Sequence, residues 1–110
     1  MITSTSNAQV KRLLQLQKKS KARNEEKVFL VEGIRMFSEV PKERVEKVYV
    51  SESFYNKKKN EIHFADYQTE ILSDTVFEYV SDTKTPQGIL CIVKQKESAW
   101  KELLDLPNPH

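Results

Sequence analysis

Ile89-Leu90-Cys91-Ile92-Val93 is the longest unbroken apolar run in the chain, and its reading decides the fold. A run of this length is far too short to span a bilayer. As a strand it has no polar face, which places it at the centre of a sheet covered on both sides. The residues just before it, Lys84-Thr85-Pro86-Gln87-Gly88, form a turn: proline pre-sets the second position of a type I turn and glycine suits the fourth.

The partners of this strand are found upstream. Val45-Glu46-Lys47-Val48-Tyr49-Val50 and Lys27-Val28-Phe29-Leu30-Val31 are short and β-rich, and Gln68-Thr69-Glu70-Ile71-Leu72 reads as a further strand. Helical segments lie between them. Ile34, Phe37 and Val40 recur at helical spacing until Pro41 closes the segment; Ser51 or Ser53 caps a short helix ending in Lys57-Lys58-Lys59; Ser73 or Asp74 caps Thr75 to Val80. After the apolar run, Glu97 to Leu106 reads as a last amphipathic helix stopped by Pro107. Strands alternating with helices predict an α/β fold with a sheet of about four strands.

The amino end reads as a helix over about residues 6 to 21. Ser6-Asn7-Ala8-Gln9 has the form of a capping box, with Ser6 as the cap and the Gln9 side chain reaching back. Val10, Leu13, Leu14 and Leu16 give an apolar stripe. Lys11, Gln15 and Lys18 share one flank, and Arg12, Lys19 and Arg23 another. Residues 1 to 23 hold Lys11, Arg12, Lys18, Lys19, Lys21 and Arg23 without one acid, a charge of +6; the remainder carries −4, and the total is +2. Such segregation points to a polyanionic partner more than the total charge does.

At 110 residues the chain has the length of one domain. With 38% hydrophobic and 31% charged residues it is polar, yet apolar enough to fold. Neither a membrane span nor a signal core is present in the sequence, so a cytoplasmic location is expected. Cys91 is the single cysteine and lies inside the apolar run, where a buried, inert thiol is expected. His63 has no second histidine or cysteine at ligand spacing, so no metal site is expected.

The order of several weak motifs then becomes informative. Ile2-x-Ser4-x-x-Asn7-x-x-Val10-Lys11, Arg23, Phe29-Leu30-Val31-Glu32-Gly33 and Thr85-Pro86-Gln87-Gly88-Ile89 together resemble the N-terminal domain of the SpoU, or TrmH, family of RNA 2′-O-ribose methyltransferases. The resemblance implies a three-layer α/β/α domain, like the kink-turn-binding ribosomal proteins, that holds rRNA or tRNA. It also implies a C-terminal SPOUT domain that binds S-adenosylmethionine, carries the catalytic arginine and forms a homodimer. Its Asn-Leu-Gly motif does not occur here, so no catalytic or cofactor residue is carried over. On this reading residues 1–106 are the RNA-substrate-binding domain, 107–110 begin a linker, and the 110-residue fragment is a non-catalytic monomer.

The candidate RNA-binding residues are Asn7, Lys11, Arg12, Lys18, Lys19, Lys21 and Arg23 at the amino end, with Gln87 and Gly88 in the late turn. Each has a plainer reading. Lysine-rich helix faces are commonly only solvated. Gly33 and Gly88 suit positive φ or a close backbone approach; antiparallel pairing of their strands would bring both to one end of the sheet. Glu32 is either a ligand residue or an acid favoured at a helix entrance. Phe54, Tyr55, Phe64 and Tyr67 suit base stacking or core packing. Two alternatives stand beside the enzyme domain: a stand-alone RNA-binding module and a protein-interaction domain with a solvated basic helix.

Overall fold

The computed structural model describes residues 1–81 and 86–95. The proposed last helix, the linker and the first two residues of the Lys84–Gly88 turn lie outside the described residues.

Four strands form one sheet in the order β1-β4-β2-β3, with β1 at Val28–Glu32, β2 at Val45–Ser51, β3 at Thr69–Leu72 and β4 at Ile89–Lys94. The apolar run lies in β4, as its composition demands, between β1 and β2 and antiparallel to both. Leu90 and Ile92 point to one face, and Ile89, Cys91 and Val93 to the other; all five are fully buried. Truncating Ile92 to alanine is expected to cost about 2–5 kcal/mol.

The first face is covered by α1 (Ala8–Lys18) and α5 (Asp74–Val80), through Val10, Leu13, Leu16, Val76, Phe77 and Val80, with α2 (Ser20–Glu26) adding half-buried Ala22. The second is covered by α3 (Ile34–Glu39) and α4 (Glu52–Lys58), through Phe37, Phe54 and Tyr55. The result is the expected three-layer α/β/α arrangement. Ser51 and Ser73 cap α4 and α5, accepting from the backbone N–H of Phe54 and Val76. Helix α3 stops two residues before Pro41, whose ring disfavours helical backbone at Val40. The chain start adds a further bridge: Ile2 pairs in parallel with Leu72, with Ile2 N–H donating to the Ile71 carbonyl at 2.8 Å.

Two local expectations are corrected. The cap of α1 is Asn7, whose Oδ1 accepts from Gln9 N–H at 2.8 Å, and not Ser6. Gln9 does not reach back: its Oε1 accepts from Lys47 Nζ at 2.6 Å and Tyr49 Oη at 2.9 Å, and its Nε2 donates to Glu70 at 3.2 Å. The single helix over residues 6 to 21 is two helices, because Lys19 is extended (φ −122°, ψ 110°) and α2 starts after it.

Candidate nucleic-acid interface

The break at Lys19 redistributes the basic residues. Arg23, now on α2, folds back and donates through Nη1 to the carbonyls of Leu16 at 2.5 Å and Gln17 at 3.2 Å. It therefore caps the end of α1, where unsatisfied carbonyls attract a cation. Arg12 joins three elements: its Nη2 lies 2.6 Å from Glu26 on α2 and 2.9 Å from Glu46 on β2. The bond to Glu26 raises the guanidinium's already high pKa; partial burial opposes the shift and Glu46 adds to it. Both arginines are thus engaged by the protein's own fold.

Lys11, Lys18, Lys19 and Lys21 differ. All four are exposed, and among the described residues none forms an ion pair. Lys11 and Lys18 extend from the outer side of α1, opposite buried Val10, Leu13 and Leu16; Lys19 and Lys21 mark the junction with α2. Asn7 is half-buried and its carbonyl oxygen is used in capping. Within the basic end, the four lysines are the cations left open to an external phosphate.

The second candidate region is the end of the sheet where β1 stops and β4 begins. Antiparallel pairing does bring the two glycines together: Gly33 N–H donates to the Ile89 carbonyl at 3.0 Å, and Gly88 O accepts from Ser51 N–H at 2.9 Å. Both have positive φ, +106° and +90°. Space is tightest at Gly88, where a Cβ would lie 2.7 Å from Phe54 Cβ. Glu32 fastens this end, since its Oε2 accepts from Ser81 Oγ at 2.7 Å and from Gln87 N–H at 3.4 Å. Its role here is to join the end of α5 to the start of β4. Gln87 is exposed beside it.

A shallow cleft of about 200 Å3 opens beside Gln87, lined by Ser51, Ser53, Phe54, Lys57, Pro86 and Gly88. A neighbouring one shares Ser51, Ser53, Pro86 and Gly88 but adds Asp74 and Glu78, which make it acidic. Asp74 accepts from the hydroxyl and backbone N–H of Ser53, which draws its carboxyl below the ordinary range. Of the aromatics considered for stacking, Phe64 is buried, while Phe54, Tyr55 and Tyr67 are half-buried against the second core. Tyr55 pairs with Phe64 and Phe37 with Tyr67, at centroid distances of 5.4 and 5.2 Å. They are packing residues.

The two regions are connected by residues that the sequence did not single out. Gln17, next to Lys18, donates through Nε2 to the Val80 carbonyl at 3.0 Å, and Ser81 follows with its bond to Glu32. The end of α5 thus lies between the lysine end of α1 and the Gln87 strand end. Among the described residues no group of three or more potential metal ligands occurs, and no helix is long and apolar enough to cross a membrane.

The described residues thus form a three-layer domain whose basic end leaves Lys11, Lys18, Lys19 and Lys21 exposed. Residues 7–91 match the family model of the MRM3-like substrate binding domain, and the chain belongs to that family. Solved structures agree on the fold. An rRNA methyltransferase from Sinorhizobium meliloti matches with a TM-score of 0.66 and 17% identity, over 86% of this chain and 36% of its own. A structure described as an RNA 2′-O ribose methyltransferase matches with 0.69 and 23%, over 99% and 40%. The SpoU methyltransferase AviRb from Streptomyces viridochromogenes, in complex with AdoMet, matches with 0.62 and 14%, over 82% and 36%. The chain therefore spans 36–40% of the length of these relatives. No curated protein matches it in sequence. The resemblance to the SpoU and TrmH enzymes is borne out.

Proposed function

We propose that the chain is the RNA-substrate-binding domain of an S-adenosylmethionine-dependent RNA 2′-O-methyltransferase, holding rRNA or tRNA while a separate SPOUT domain performs methyl transfer. The observation that carries the reading is the match of residues 7–91 to a substrate-binding domain family. The four open lysines supply its physical means, since phosphate contacts dominate sequence-independent affinity. Lys11, Lys18, Lys19 and Lys21 meet the phosphates; Arg12, Arg23 and Asn7 shape the surface that presents them. Gln87, exposed at the strand end beside Gly88, marks the second contact region. The full-length enzyme is a homodimer through its catalytic domain and works in the cytoplasm.

Parallel calorimetric titrations of the 110-residue chain test this. RNA is expected to bind in a salt-sensitive manner, and S-adenosylmethionine to give no heat. Tight cofactor binding, or no RNA binding at low salt, contradicts the proposal.

A further inference from the structure

Tyr79 is 53% exposed, although the neighbouring Val76, Phe77 and Val80 on the same helix are each about 1% exposed. Its position follows from helix geometry: Val76, Phe77 and Val80 form the inward stripe of α5, and Tyr79 falls outside it. Among the described residues its ring makes no aromatic pair and its hydroxyl no hydrogen bond. A large, amphipathic side chain is therefore held half-open to solvent on a helix, without a ring or hydrogen-bond partner among the described residues.

The surroundings say what fits. The residue after Tyr79 presents its carbonyl to Gln17, which adjoins Lys18 and Lys19; the next, Ser81, is tied to Glu32 and through it to Gln87. The end of α5 that carries Tyr79 is thus tied to α1 next to Lys18 and Lys19 on one side and to the Gln87 strand end on the other. An aromatic face beside a phosphate-attracting surface matches the two halves of a nucleotide, since every base offers a π-face for stacking. A duplex keeps its bases stacked inside and offers no free face to the ring.

We propose that Tyr79 is a stacking platform for an unpaired nucleotide, with the flanking phosphates following Lys18, Lys19 and Lys21, so that the substrate is RNA with a single-stranded or bulged segment. This rests on the RNA-binding reading above and adds a base contact to it. The acids Asp74 and Glu78 lie on the cleft side of α5, so the phosphate path runs toward α1 and away from that cleft.

The test uses the 110-residue chain with a single-stranded RNA and a duplex of the same composition. Tyr79→Ala is expected to weaken single-strand binding by about 5- to 150-fold. Its salt dependence should stay unchanged, because a ring releases no counterions. Tyr79→Trp should retain affinity, and the preference for single strand over duplex should shrink in Tyr79→Ala. Wild-type binding that Tyr79→Ala leaves intact overturns the stacking role and spares the RNA-binding reading. Failure of the wild type to bind any RNA overturns both. A change in sedimentation on Tyr79→Ala with RNA affinity unaltered assigns the ring to a protein contact and also overturns the proposal.

Discussion

Gly88→Ala makes two demands on the strand end at once. The backbone there has φ +90°, where an L-residue costs about 1–3 kcal/mol. The new Cβ would also lie 2.7, 2.8 and 2.9 Å from Cβ, Cδ2 and Cγ of Phe54. The nearest of these is fixed to the backbone of α4, so rotation of the ring does not relieve it, and overpacking of this kind costs about 1–3 kcal/mol. Together the loss is about 2–6 kcal/mol, from a total stability of about 5–15 kcal/mol. Gly33→Ala is the internal control. Its φ of +106° is also unfavourable, but the nearest atom to its Cβ is the flexible Gln87 Cγ at 3.6 Å, so only the backbone cost of about 1–3 kcal/mol applies. Thermal unfolding followed by far-ultraviolet circular dichroism is expected to rank Gly88→Ala as the more destabilised, with its Tm lowered by about 10 °C or more. Adding Phe54→Ala should recover part of the loss, as a coupling of about 1–3 kcal/mol in a double-mutant cycle. Equal destabilisation by the two glycine variants would refute the close-approach argument, whereas the cycle with Phe54→Ala reports only on the ring atoms Cγ and Cδ2, since alanine keeps the Cβ.

Arg12→Gln is expected to lower stability by about 0.5–1 kcal/mol at low salt and less at high salt, since its partners are about one-third exposed; denaturation at two ionic strengths checks this, and RNA affinity should change far less than with Lys18 or Lys19 replaced. Glu32→Ala removes the acceptor shared by Ser81 and Gln87 and should cost about 1–3 kcal/mol; an unchanged urea midpoint would show that the junction does not depend on it. Burial pushes the Cys91 thiol up to about 12 from its ordinary 9.0, and chiefly burial pushes the Tyr49 hydroxyl up to about 12 from 10.0. Both groups favour the neutral form when folded, so their contribution is complete below the unfolded values and is lost as pH rises from about 9 toward 12. The urea midpoint should fall over that range, the fall should start later in Cys91→Ala, and a thiol reagent at pH 8 should label Cys91 only on unfolding.

Much of the fold is legible because its signals are local. The apolar run 89–93 could only be satisfied between two covered faces, and Ser51 and Ser73 announce their helices by offering an oxygen at the right offset. What escaped the sequence depends on distant partners. Gln9 is diverted from the capping box by Lys47, Tyr49 and Glu70, which lie 38, 40 and 61 residues away. The helix break at Lys19 has no proline or glycine to mark it, and the residue that caps the break, Arg23, reads as one more cation of a basic helix. The candidate interface was legible as a charge imbalance. Which cations remain open was not, because Glu26 and Glu46 that engage Arg12 belong to α2 and β2. Tyr79 carried a signal, its offset from Val76, Phe77 and Val80, that its surroundings in sequence did not distinguish from core packing.

The salt dependence of RNA binding tests the central claim most directly. For a single-stranded RNA, the logarithm of the binding constant should fall linearly with the logarithm of salt concentration, and replacing Lys11, Lys18, Lys19 and Lys21 together by glutamine should flatten the slope by about 2 to 3. A slope that is the same in the wild type and the lysine-depleted chain would contradict the account.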